Sequence, residues 1–144
     1  MGRRGEQEAM KKLLLVLAVL LLVAGLRGCG PLAGIAFVGG DEAIGRAYQS
    51  QQSGVQVTAE GTVVEVLPDD HDGSRHQRFV LKLSSGQTVL VAHNIDLASR
   101  IPALRVGERV GFHGVYEWNA EGGVVHWTHG DPKGKHAAGW VRRR

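Results

Sequence analysis

Val55-Gln56-Val57-Thr58-Ala59-Glu60-Gly61-Thr62-Val63-Val64-Glu65-Val66 decides the fold. Val55, Val57, Ala59 and Gly61 alternate with Gln56, Thr58 and Glu60, the period of a half-buried strand. Beyond Gly61 the apolar phase moves to Val64 and Val66. A phase shift beside a glycine predicts a β-bulge or sharp coil within one long strand. Such a strand can serve both halves of a small barrel.

Downstream, Pro68 to Ser74 is a loop by composition, and Asp70-x-Asp72-Gly73 reads as a turn, since no downstream Glu completes a calcium loop. In the second strand Phe79, Leu81 and Leu83 point inward while Arg78, Val80 and Lys82 point outward. Ser84-Ser85-Gly86-Gln87 turns the chain into a third strand, Thr88 to His93. Asn94 to Leu104 is a longer connection with a short helical turn before Pro102. Val110, Phe112, Gly114, Tyr116 and Trp118 share a face of the fourth strand, and Val124 to Thr128 forms the fifth. Taking Asn119 to Gly123 as the intervening turn sets His126 opposite Tyr116; a turn one residue shorter sets it opposite Val115. Five strands, the first long and bent, predict an all-β, OB-fold-like barrel over residues 55–130, with an SH3-like barrel as the competitor.

Upstream of the barrel, Gly39-Gly40 breaks the chain and Asp41 is placed to cap a short helix running to about Ser53. Its apolar stripe is Ala43, Ile44, Ala47 and Tyr48, within a linker over residues 31–54. Leu13 to Leu26 is an unbroken apolar run preceded by Arg3, Arg4, Lys11 and Lys12. A basic stretch before an apolar core is the signal-peptide pattern. Residues 1–30 are therefore expected to be a signal peptide or N-terminal membrane anchor. The chain is expected to be exported, periplasmic or otherwise extracytoplasmic. Leu26-Arg27-Gly28-Cys29 resembles a lipobox, so lipidation of Cys29, a retained anchor helix and plain cleavage stay open. The single cysteine allows no intramolecular disulfide.

The formal charge of +3 is unevenly spread. Residues 41–130 carry seven basic and eleven acidic groups, whereas residues 131–144 carry five basic groups against Asp131 and read as a basic C-terminal tail. A mildly acidic body is a poor non-specific nucleic-acid binder, because that function needs a basic groove to neutralise phosphates. Small-molecule, saccharide or peptide ligands suit it better, with the membrane as a partner through an uncleaved N-terminal segment. The Arg142-Arg143-Arg144 end could touch anionic lipid beside such an anchor.

Leu67-Pro68-Asp69-Asp70, Gly73 to Phe79, Ala92-His93-Asn94-Ile95-Asp96-Leu97, Tyr116-Glu117-Trp118-Asn119 and Gly122 to Asp131, with His136 and Gly139-Trp140, occur as separated motifs in one order. Together they resemble the bacterial domain-of-unknown-function family DUF3465 over roughly residues 55–140. The resemblance implies a small exported bacterial protein. It implies no activity and no catalytic residues.

Seven histidines are many for 144 residues, and five lie in these motifs. His76, Gln77, His93, Asn94, Glu117, Trp118 and Trp127 are the candidate ligand-binding residues. A tryptophan would stack while His93, Asn94 and His126 hydrogen-bond. His126, His129 and Asp131 are the candidate metal set, for a divalent ion such as zinc. No diagnostic metal or nucleophile motif is present, so no residue is assigned a catalytic role. Histidines three apart face opposite sides of a regular strand, so His126 and His129 share a site only if the strand ends or bulges near Thr128. Each histidine taken singly reads as structural, and Glu117 as a partner for Arg75 or Arg78. Three functions stay open: a ligand-binding module, a metal-dependent hydrolase, and a structural envelope adaptor.

Overall fold

The computed structural model describes residues 40–144. The expected signal or anchor segment, Cys29 and the first part of the linker lie outside the described residues.

Helix α1 (Gly40–Gln49) precedes strands β1 (Val55–Asp70), β2 (His76–Leu83), β3 (Thr88–Asn94), β4 (Arg109–Glu117), β5 (Val124–His126) and β6 (Trp140–Arg143). The first five strands are hydrogen-bonded in the order β1-β2-β3-β5-β4, and β4 returns to β1. That circuit closes a small barrel. Only β3 and β5 run parallel; the other pairs are antiparallel. The topology is the Greek-key arrangement of an OB-fold.

One strand closes the ring because β1 serves two partners. Val55 to Thr62 pairs with β4, and Gly61 to Asp70 pairs with β2. At the crossing, a side chain on Gly61 would meet the Lys82 carbonyl oxygen at 2.8 Å, so only glycine lets the two strands approach there. The register shifts between Val63 and Glu65, which places the bulge three residues beyond Gly61, at Val64. The second apolar phase does not turn inward. Val63 is buried, while Val64 and Val66 are 40% and 41% exposed. Past the bulge β1 has left β4, and no strand among the described residues covers that side.

The core follows the alternation. Phe79, Leu81 and Leu83 of β2, Val89 and Val91 of β3, Val110, Phe112 and Tyr116 of β4, and Val125 of β5 are buried together. Ile44 and Ala47 of α1 join them, with Ala43 and Tyr48 half-buried alongside. Asp41 does not cap the helix. Its carboxylate accepts hydrogen bonds from the Ser84 amide, at 2.8 Å, and the Ser84 hydroxyl, clipping α1 to the β2–β3 turn. The Tyr48 hydroxyl donates to the Ala120 carbonyl at 3.1 Å, tying α1 to the β4–β5 turn. The opposite end of the barrel carries the β1–β2 loop, the β3–β4 connection and the chain leaving β5.

Register along β4 follows the shorter-turn alternative, with Val115 facing His126. After a thirteen-residue excursion, residues 127–139, the chain returns to the same edge of β4 as β6. His113 then faces Trp140, and Phe112 faces Val141. Residues 140–143, within the stretch read as a basic tail, form a sixth strand beside β4, outside the closed circuit. Short-range side-chain chemistry holds β6 in place. Arg143 pairs with Glu108 at 3.1 Å and donates to the Pro102 and Ala103 carbonyls, while Arg142 lies 4.1 Å over the Trp140 ring.

Candidate functional site

The barrel's polar core residues lie at the end away from α1. Gln77 and His93 are register partners on β2 and β3, and both point inward, where Gln77 is 6% and His93 2% exposed. Gln77 donates from Nε2 to the Ile101 carbonyl at 2.9 Å and accepts the Ile101 amide on Oε1 at 2.8 Å. His93 Nε2 faces the Ser99 carbonyl at 3.1 Å and must carry the proton. His93 Nδ1 then accepts from the Thr128 hydroxyl at 2.8 Å. Burial holds the imidazole's pKa below the usual 6.5, although the Ser99 contact opposes the shift. Every polar atom of these two side chains is thus engaged in fastening the β3–β4 connection and the residue after Trp127. In this structure both side chains face inward and hold backbone and hydroxyl partners of the barrel itself.

On the outer face the arrangement differs. His76 and Asn94 are register partners whose side chains project outward at the ends of β2 and β3. One residue beyond the parallel Val91–Val125 pair lie Ala92 and His126. Ala92 is small, so the sheet surface dips there. β5 ends at His126, and Trp127 takes φ of 55°, a left-handed conformation that a tryptophan holds only at a cost of about 1 kcal/mol. The turn brings His129 back to the same side as His126, meeting the condition set by their spacing. With Ser74 and Leu97 from the flanking loops, these residues line a cleft of about 480 Å³.

Its rim is fixed by short polar contacts. Asp96 accepts from the Arg75 amide at 2.8 Å and from Arg75 Nε at 2.7 Å, joining the β1–β2 loop to the β3–β4 connection. Those contacts, the amide first, hold the Asp96 carboxyl below the usual carboxylate range. Asn94 Oδ1 accepts the amides of Asp96 and Leu97 at 2.9 and 3.2 Å, leaving the Nδ2 donor for the cleft. His129 is 5% exposed, and its Nδ1 donates to the Gly130 carbonyl at 2.6 Å. No buried side-chain nitrogen or oxygen among the described residues lacks a partner, so His129 Nε2, which has no hydrogen bond, keeps some exposure, and His129 is among the residues lining the cleft. Burial lowers the pKa of His126, aided by repulsion from His76 and opposed by the Glu117 carboxylate.

Of the residues expected in a site, the fold brings together His76, Asn94, His126, Trp127 and His129. Trp118 is half-buried against the core, with its amide on Ser53 Oγ at 2.9 Å, and does not line the cleft. Glu117 acts at the edge, through its field on His126; Arg75 is taken by Asp96, and Arg78 donates from Nε to the Pro68 carbonyl at 3.1 Å. Trp127 is 36% exposed, with His136 stacked on it at 3.8 Å and His129 tilted against it at 5.6 Å. Asp131 accepts the amides of Lys133, Lys135 and His136 at 2.8, 2.5 and 2.9 Å, which organises the excursion and occupies its carboxylate. Among the described residues no three His, Cys, Asp or Glu side chains are grouped to hold a metal ion. Sequence reasoning did not single out Thr128, Ser99 and Ile101 as partners of the buried polar pair. Their only signal is position, opposite His93 and Gln77 in three dimensions.

The family model for the protein of unknown function DUF3465 matches residues 31–144. No curated protein matches the sequence. Among solved structures, the hypothetical protein ygiW from E. coli is similar with a TM-score of 0.40 and 20% identity, covering 69% of this chain and 85% of that one.

Proposed function

The chain belongs to the DUF3465 family, and from that premise we propose that it is an exported ligand-binding module of the cell envelope. Its small ligand sits in the cleft between the ends of β2, β3 and β5. One observation carries the reading: His76, Asn94 and the His126–His129 segment come from three separate parts of the chain and border one concave surface. The inward polar residues beside them, Gln77 and His93, have their hydrogen bonds made within the barrel. A volume of about 480 Å³ lies in the range that small-molecule sites occupy. OB barrels commonly bind on the surface of strands two and three with the flanking loops. Export rests on Leu13 to Leu26 and the basic residues before it.

The metal-dependent hydrolase has less support, because Asp131 is engaged in its own loop and the imidazoles are not grouped as ligands.

The test is a nuclear magnetic resonance titration of the full-length, isotope-labelled chain with a panel of charged and neutral small molecules. At least one class should shift His76, Asn94, His126 and His129 together. In His126→Ala that response should fall at least about tenfold in affinity, about 1.4 kcal/mol, with the fold retained. A panel that never moves the cleft residues refutes the reading.

A further inference from the structure

We propose that the ligand of this cleft is a small anion, held through phosphate- or carboxylate-type oxygens by Asn94 and the imidazoles of His76, His126 and His129. The inference rests on the reading of the cleft as a ligand site and adds the chemical class. It comes from the balance of donors and acceptors. The Asn94 carbonyl oxygen is engaged by two backbone amides, so what Asn94 offers a ligand is its NH2 group. Ser74 adds a hydroxyl. Among the described residues no Asp or Glu side chain lines the cleft. The rim carboxylate, Asp96, is already bound by Arg75. A cation would find no carboxylate, and a sugar, whose hydroxyls donate as well as accept, would find few acceptors. The acceptors present are imidazole lone pairs, chiefly Nε2 of His129, and protonation converts each of them into a donor.

An oxyanion beside His126 favours its protonated form. It offsets the mutual repulsion of His76 and His126 and part of the burial cost at His126. Glu117, from β4, acts on His126 in the same direction. The other charged groups nearby are Asp70, the register partner of His76, whose carboxylate accepts the Asp72 amide at 2.9 Å, Arg75, paired with Asp96, and Arg78, which donates to the Pro68 carbonyl. Binding therefore takes up a proton, and affinity rises as pH falls.

The experiment uses the full-length, isotope-labelled chain with inorganic phosphate and citrate as probes, maltose as a neutral comparator, and phosphatidylglycerol vesicles as a head-group source. Phosphate or citrate should shift the Asn94 side chain and the His76, His126 and His129 rings. Their affinity should rise, by at most about tenfold per pH unit, as pH falls through 6.5 and a proton is taken up at His126. Asn94→Asp keeps the oxygen that holds the Asp96 and Leu97 amides but replaces the donor with negative charge; it should fold and lose at least about tenfold in anion affinity. If maltose moves the cleft and neither anion does, the anion is wrong and the cleft reading survives. If no probe moves it, both fall. A response to vesicles alone, anion shifts confined to Arg142–Arg144, or unchanged anion binding by Asn94→Asp each overturns the small-anion assignment.

Discussion

His93 and Thr128 meet inside the barrel mouth, Nδ1 to Oγ1 at 2.8 Å, although 35 positions separate them in sequence. The same ring holds the Ser99 carbonyl through Nε2. One buried imidazole thereby fastens the β3–β4 connection and the start of the excursion to β3. His93→Leu fills much of the space but leaves a hydroxyl and a carbonyl without partners. The expected loss is about 2–4 kcal/mol of stability. Urea unfolding followed by far-ultraviolet circular dichroism measures it; a loss below about 0.5 kcal/mol would show that the two contacts contribute little.

Stability should also depend on pH in a defined direction. Burial lowers the pKa of His93, and likewise that of His126, from the usual 6.5. The folded state therefore holds these imidazoles neutral at a pH where the unfolded chain has begun to protonate them. Unfolding takes up protons in that window, so stability is full above the unfolded pKa and declines as pH falls through 6.5 toward the lower folded values. Urea midpoints measured from about pH 8 to about pH 5 should show the decline, and His93→Leu should flatten it. An equal slope in wild type and variant would assign the pH dependence to other groups.

Gln77 makes a separate claim on the same connection. Its amide reads both backbone groups of Ile101, whose side chain lies in the core. In Gln77→Leu the Ile101 amide and carbonyl stay buried without partners, at an expected cost of about 2–3 kcal/mol. Hydrogen exchange at the Ile101 amide should accelerate well before the exchange of Phe79 or Val91. If Ile101 stays as protected as the core strands, the connection is held by packing instead.

The difference between what the sequence disclosed and what it concealed has a physical cause. Alternation at Val55 to Val63 and at Phe79 to Leu83 survives in the core because each residue's face follows from strand period alone. The bulge was readable as a phase change, but its outcome was not. Val64 and Val66 stay exposed because β4 has already ended opposite Thr62, a fact of long-range register. Strand β6 was hidden for a related reason. Trp140-Val141-Arg142-Arg143 has no apolar alternation, and its place is set by β4, by Glu108 and by two carbonyls of the β3–β4 connection. In the candidate site, motif membership singled out His76, His93, Asn94 and His126 equally. Which of them face inward depends on strand parity, and β3 puts His93 inside and Asn94 outside.

Gly139 is where the excursion rejoins the barrel, and its hydrogen atom occupies space that no side chain could. A Cβ there would lie 1.8 Å from the Trp127 carbonyl oxygen and 2.7 Å from that of His113. The Gly139 amide also donates to the His129 carbonyl at 2.9 Å, closing the loop that carries Trp127 and His129 to the cleft. Gly139→Ala must push two backbone segments apart, at an expected cost of about 3 kcal/mol borne mainly by β6 and the excursion. The barrel circuit β1-β2-β3-β5-β4 does not include β6, so its core amides should keep most of their protection. Hydrogen exchange should therefore quicken at Val141 and Arg143 while Phe79 and Val91 change little. Any ligand response at His129 should weaken in parallel, since the same junction sets its position. Wild-type protection at Val141 with an unchanged melting temperature would mean that the junction relaxes around a methyl group and that β6 is not held by close approach at Gly139.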